Sequence, residues 1–585
     1  MVKQYKPAET DNVARIPLAG QYSNRSPSTT GGYAASGIVG LGVIGTMIIG
    51  GTGTAGSTKD QRFINCVFEK IVNPYTKKEK FHVVKRPGFA FYNSGTALKS
   101  GHKGNAVHVW SSKTTGETPV WAFGNTNSEI FEGATSLGSI SGLVVDITET
   151  LIGTTAYLLF SSTDSTGWYY VDGAKDQTAY TGDTHTNTTI DGIASTAGMY
   201  VGQAITGTGI VAGTRIATVV GANSITVDTA TTGTATVAIT KEPLAKIIDA
   251  DFPGNASLTT VGAFVCMNGF TYIMDSVGKV WNSDINSVTS WTTTGVIVSQ
   301  MYPDKGIGLS RYKNQIVAFG RDTTEFFSDV GNPSGSPLQS TQQAFLKIGC
   351  VSATSILQFN DSLYWTSNSE RGDITIYRLE GFNPVPVSTP AIEKILQVST
   401  VTTLCLSGAN MLGKAVLVAT GNLATFVLDV EDGFWSEWSS SGQPWSRMSS
   451  TTSGTSVTYG ISLQATDTSG KGYLMNQASL VYQDGGSNFT WMIQTSKVDF
   501  DTTDFKFLSK LTLVGDISSS STVSVQWSDD DYATFNTART MTLTTDTPYL
   551  RNCGKFKRRA FKFTNSDAYP IRFEAMELEL KGGIH

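Results

Sequence analysis

The sequence predicts an all-β protein: a large domain of repeated hairpins, a small β-module inserted into it, and a β-sandwich towards the C-terminus. Three observations carry this. Apolar residues make up 40% of the 585 residues and charged residues only 16%, with 60 glycines, a profile of short strands joined by tight turns. No segment sustains a 3.6-residue apolar period with capping signals, so helix is expected to be scarce. Paired strand signals recur at the spacing of sandwich strands or propeller blades.

Residues 1–60 read as an arm. Its start, "MVKQYKPAETDNVARIPLAG", has no apolar stretch of the kind a secretory signal needs, so folding in a cytoplasm is expected. It carries the glycine-rich insert 31–56, with "GIVGLGVIGTMIIGG" at 37–51. The apolar run from Ile38 to Ile49 is shorter than the ~17–25 residues of a spanning helix. Val39, Leu41 and Val43 alternate with Gly40 and Gly42, which reads as a strand or hairpin with one bare face, and no integral membrane span is expected.

Residues 61–184 form the first part of the hairpin domain, with "AVHVWSS", "PVWAFGN", "AYLLFSS" and "GWYYVDG"; residues 242–451 form the second. Hairpins there end in acidic turns beside an aromatic: Trp281 before Asp284, Phe327 before Asp329, Trp435 after Asp432. A short acid accepts hydrogen bonds from backbone N–H groups of its own turn, so these repeated acids read as architecture. Residues 185–241, nearly free of aromatics and charge, read as a β-module inserted in a surface loop. Residues 452–585 alternate polar and apolar positions over long runs, as in strands wetted on one face.

No chemical motif stands out. The acids at 322, 325, 329, 370, 373, 380, 429, 431 and 432 show no spacing that singles out a glycosidase pair. The histidines His82, His102, His108, His185 and His585 belong to no triad or zinc motif. Cys66, Cys266, Cys350, Cys405 and Cys553 are an odd, widely spaced set, expected to be reduced and mostly buried. "WSDDDYATF", Trp527 to Phe535, resembles the Asp-box turn of sialidase propellers, a turn staple remote from catalysis, with Tyr532 where glycine is expected. "RGD", Arg371 to Asp373, reads as a hairpin turn. "KFKRR", Lys555 to Arg559, reads as a salt-bridged surface before a DNA contact. No catalytic, cofactor or metal residue is assigned, and no enzyme is expected. The balance of 43 basic and 48 acidic residues, −5 overall, argues against gripping nucleic acid through its phosphates.

The order of several short nodes resembles the tail nozzle, or packaged-DNA stabilisation, family of short-tailed bacteriophages. The nodes are Arg86-Pro87-Gly88, then Ser283-Asp284 with Ser290-Trp291, Pro303 to Gly308, Phe319-Gly320 with Thr323-Thr324-Glu325, Gly349-Cys350, Leu363-Tyr364-Trp365, Arg371-Gly372 and Ser388 to Glu393. The likeness covers roughly 13–30, 57–180 and 242–580, and leaves out the inserts 31–56 and 185–241. It implies a β-propeller-like domain with a second β-domain and a structural virion protein made in the host cytoplasm. It also implies a hexameric ring below the head-to-tail adaptor, with fibres or tailspikes and a plug or needle beneath. Double-stranded DNA would pass without sequence readout. The alternative is a propeller that binds or cleaves glycans.

Overall fold

A computed structural model describes residues 12–17, 61–72, 79–113, 116–174, 179–299, 302, 304–332, 334–368, 374–440, 443–450, 459–464, 467–476, 478–500, 502–518, 520–545 and 547–582. The glycine-rich insert 31–56 and Arg371 to Asp373 lie outside these residues.

Among the described residues, seven antiparallel sheets stand side by side in a ring. Their inner strands are Gly104–Trp110, Val144–Ile152, Thr260–Met267, Gly306–Tyr312, Leu357–Phe359, Cys405–Met411 and Gln443–Ser450. Each of these inner strands adjoins the next, and that of the seventh sheet adjoins the first, so the ring closes as a propeller. The hairpins use the turns their sequences favour: Asn268 and Gly269 both take positive φ, joining Thr260–Met267 to Phe270–Asp275 in a two-residue loop.

The cores lie between blades. Met274 and Val280 of blade three meet Ile316 and Phe327 of blade four. Phe319 of blade four meets Trp365 of blade five, and Ala409 and Val418 of blade six meet Trp445 of blade seven. Blade seven is completed from the other end of the chain, since Ala90–Phe91 pairs with Tyr473–Asn476 as its outermost strand.

Two sheets pack into the sandwich. One runs Cys66–Val72, Glu79–Lys85, Arg572–Gly582, Lys506–Gly515, Tyr549–Arg551, with Asn12–Pro17 on Arg572–Gly582 and Lys555–Phe556 on Lys506–Gly515. The other runs Arg62–Ile64, Trp491–Gln494, Ala560–Asn565, Thr522–Ser528, Arg539–Thr542, and joins blade six through Ile64 beside Glu437. Phe63, Phe68, Trp491, Leu511, Phe561 and Phe573 fill the space between them.

These pairings move two expected boundaries. Residues 62–85, expected within 61–184 of the propeller, are sandwich strands, and 459–476, expected within 452–585, complete blade seven. Strand alternation fixes which face is buried but not which distant strand is the partner. The module also starts earlier than 185: Ala179–His185 pairs with the first half of Thr234–Lys246, whose last residues pair with blade two. It has its own core of Ile190, Ile205, Ile216, Ile225, Val227 and Ile239. Among the described residues one α-helix departs from the strand pattern, Pro390–Val398, capped by Thr389 accepting from Ile392 N, with Pro at its start.

Candidate functional site

The propeller axis is where such folds offer a channel, and here it is crossed. The turn Ala353–Ser355, leading into blade five, lies within 8 Å, Cα to Cα, of the inner strands of blades two, three and six. Ser352 Oγ and Thr354 Oγ1 fasten it to the Leu404 carbonyl at 3.2 and 2.5 Å. Arg447 of blade seven reaches Asp146 of blade two at 3.5 Å, past blade one. His108 lies 3.6 Å from Glu149, which also accepts from Ser111 N at 2.8 Å. Burial raises the Glu149 pKa, but His108 and Ser111 outweigh it and hold it at about 2. A bore spanned in this way cannot admit a duplex whose major groove alone is about 12 Å wide.

Of the acids whose contacts are described, Asp429 and Asp432 come together on Lys414 and the others lie apart, each in a turn or a strand contact. Asp275 accepts from Val277 N and Lys279 N at 3.0 and 2.9 Å and from the Trp281 indole at 3.0 Å. Asp329 takes Asn268 Nδ2 and Gly331 N, Asp429 and Asp432 share Lys414, and Glu380 pairs with Arg378. Asp322 is an exposed turn residue, Glu325 is buried in Thr324–Asp329 and Glu431 is exposed; 370 and 373 lie outside the described residues. The described histidines are scattered as well: His82 in the sandwich, His102 and His108 in blade one, and His185 beside Asp191 in the module. Among the described residues no group of three or more His, Cys, Asp or Glu is placed to hold a metal, and no helix is long and apolar enough to cross a membrane. The five thiols are unpaired, four of them buried.

The Asp-box stretch is a staple, but it sits in the sandwich. Asp530 accepts from Thr534 N at 2.9 Å and Ser528 Oγ at 2.8 Å, and hydrogen bonds from Thr534 and Ser528 hold its pKa at about 2. Tyr532 takes the glycine's place at φ 64°, its hydroxyl donating to Thr495 O. The basic cluster is divided: Arg559 is buried against Asp529 at 2.6 Å and Arg558 faces Asp499, while Lys555 and Lys557 stay exposed.

The motif nodes are joints. Asp304 accepts from Asp322 N, Thr323 N and Thr323 Oγ1 at 2.6, 2.9 and 3.2 Å, tying the linker before blade four to that blade's own turn. Because hydrogen bonds to a charged group are worth about 1.5–3 kcal/mol, Asp304→Ala is expected to cost about 2 kcal/mol in urea unfolding, and Asp304→Asn much less. Trp365 Nε1 donates to Gly349 O at 3.1 Å, and Ser388 Oγ to Glu393 at 2.7 Å.

Arg86, of the first node, is the seam between the two domains. It forks onto Asp484 at 3.0 and 2.6 Å, donates through Nε to Asn65 at 2.8 Å and through Nη2 to Ser439 O, and lies 4.1 Å from the Phe489 ring. Lys85 beside it is buried too, donating to Asn565 Oδ1 and Asp567 O. Burial pushes its pKa down to about 8, with Asp567 and Asp484 offsetting part of the fall. An unfolded lysine titrates near 10.4, so between about pH 8 and 10.4 the unfolded chain holds the extra proton and Lys85 makes stability rise with pH, by up to about 1.4 kcal/mol per unit. Below pH 8 both states are protonated and the dependence disappears. The difference between wild type and Lys85→Met, followed by denaturant unfolding across that window, measures it; equal slopes would refute it.

Residues 201–411 match the Phage stabilise family, described as bacteriophage P22 Gp10, β-propeller. The match spans most of the module, the outer strand of blade two, blades three to five and the first strand of blade six. No curated protein matches the chain. Among solved structures, the computationally designed Ika8 protein aligns at 9% identity and a TM-score of 0.30, covering 65% of this chain and 98% of that one, a likeness too low to argue from.

Proposed function

We propose that the protein is a structural component of a bacteriophage tail that stabilises packaged DNA. On this reading six copies form a ring-shaped nozzle below the head-to-tail adaptor, with fibres or tailspikes and a plug or needle beneath. The observation that carries the reading is the family match over residues 201–411, which falls on consecutive blades of the propeller. The acids engaged in turns and ion pairs support it too, since most glycan-cleaving enzymes need two free carboxylates facing one sugar cleft.

The crossed bore gives the proposal a physical shape. DNA would travel through the space enclosed by the ring of copies, not through any single propeller. A net charge of −5 per chain suits a wall that lets phosphates slide, because each phosphate neutralised adds binding energy and friction. Negative-stain imaging with and without the adaptor ring tests the assignment. Sixfold rings with an open centre that dock on the adaptor are expected; a monomer that ignores the adaptor would sink the nozzle reading.

A further inference from the structure

The sandwich carries an exposed face that nothing above uses. Of the six aromatic side chains most exposed among the described residues, three, Phe505, Phe507 and Tyr549, lie on or beside one face of the sheet around Lys506–Gly515. The strand register sets their neighbours: Phe507 stands opposite Lys555, Thr512 opposite Tyr549, and Lys510 opposite Arg551. Phe505 is bracketed by Lys555 and Lys557, whose ammonium groups lie 5.1 and 4.9 Å from its ring centre. Lys510 and Arg551 stand 4.8 and 5.4 Å from the Tyr549 ring. Three strands and their flanking residues thus bring four cations and three rings together, and none of the four cations makes an ion pair among the described residues.

Exposed aromatics beside an arginine are a mark of protein interfaces, and on a chain of net charge −5 the three lysines around them make this cationic face an exception whose complement is a carboxylate-bearing partner. One detail separates this from a nucleic-acid surface: the cations sit over the faces of Phe505 and Tyr549, where a base would have to stack.

We propose that this face docks a carboxylate-rich segment of a second protein, its acids meeting Lys510, Arg551, Lys555 and Lys557 and its apolar side chains covering Phe505, Phe507 and Tyr549. The inference rests on the surface alone and stands apart from the assignment to a phage tail. The test uses the full chain and three fluorescent probes: a peptide of Glu-Glu-Leu repeats, its Gln-Gln-Leu counterpart and a DNA duplex, followed by anisotropy. The acidic peptide is expected to bind, the amide peptide not. The charge reversals Arg551→Glu, Lys555→Glu and Lys557→Glu together should weaken binding by about tenfold or more. Phe507→Ser, which leaves the charge unchanged, should weaken it as well. All four sites are exposed, and unchanged melting curves verify folding. Equal binding of the acidic peptide by wild type and the charge-reversed variant overturns the proposal, as does duplex binding that exceeds peptide binding and vanishes with the same reversals.

Discussion

Asp484→Ala is expected to destabilise the protein by about 3–5 kcal/mol, the cost of leaving one partner of a buried ion pair alone. The side chain of Arg86 is wholly buried and that of Asp484 is 1% exposed, so no water can replace the lost carboxylate. The Phe89 N–H loses its acceptor in the same step. Arg86→Lys should fare little better, because a single ammonium cannot reproduce a fork that reaches Asp484 twice, Asn65 and Ser439 together. Urea unfolding followed by tryptophan fluorescence reads the effect, since Trp438 and Trp445 lie within 6 Å of the guanidinium. A loss below about 1 kcal/mol, the level of a surface pair, would mean that Arg86 does not hold the seam.

The second large effect concerns Gly349. A Cβ there would lie under 3.0 Å from backbone atoms of Arg321 and Asp322, so even alanine forces the linker off the turn it packs on. That linker is tied in on both sides, by Cys350 N to Gly320 O at 2.9 Å and by Thr324 Oγ1 to Ile348 O at 2.7 Å. Gly349→Ala is expected to cost about 3 kcal/mol, the upper range of overpacking. Gly233→Ala, with nothing within 4 Å of the added carbon, is the control and should change stability by less than about 1 kcal/mol. Thermal melts of the two variants decide it; similar melting temperatures would rule out the packing argument.

Much of this architecture was legible in short motifs because the motifs are joints. Arg86, Asp304, Gly349 and Ser388 each tie together segments that are not adjacent in a sheet. The acidic turns were legible from their chemistry: Asp329 accepts from Gly331 N of its own turn and from Asn268 Nδ2 with one side chain. Partner choice was not legible. Residues 62–85 look like blade strands because alternation encodes a buried face and nothing about the distant strand beside it. The helix at Pro390–Val398 escaped notice because nine residues bury only Ile392 and Leu396, too few to establish a period, although Thr389 and Pro390 announce its start. "KFKRR" read as one cluster because sequence shows neighbours along the chain. The fold takes Arg559 inside and supplies Lys510 and Arg551 from other strands. The turn across the axis, Ala353–Ser355, carries no signal, since its anchors, Ser352 and Thr354 on the Leu404 carbonyl, are residue types abundant throughout the chain.

The last strand of blade seven is Ala90–Phe91, while its other strands lie between 439 and 476. On the ribosome, residues 90 and 91 emerge early and wait for a partner made several hundred residues later. The strands at 66–85 wait longer still, until 506–515 and 572–582 appear. At ~5–20 residues per second, a chain of this length takes ~30–120 s to make, and for most of that time early strand edges are bare. Pairing over such separations is also slow to form once the chain is complete. The newborn protein is thus at its most aggregation-prone just before synthesis ends, and its yield in any host will depend on how well those edges are shielded until the ring can shut.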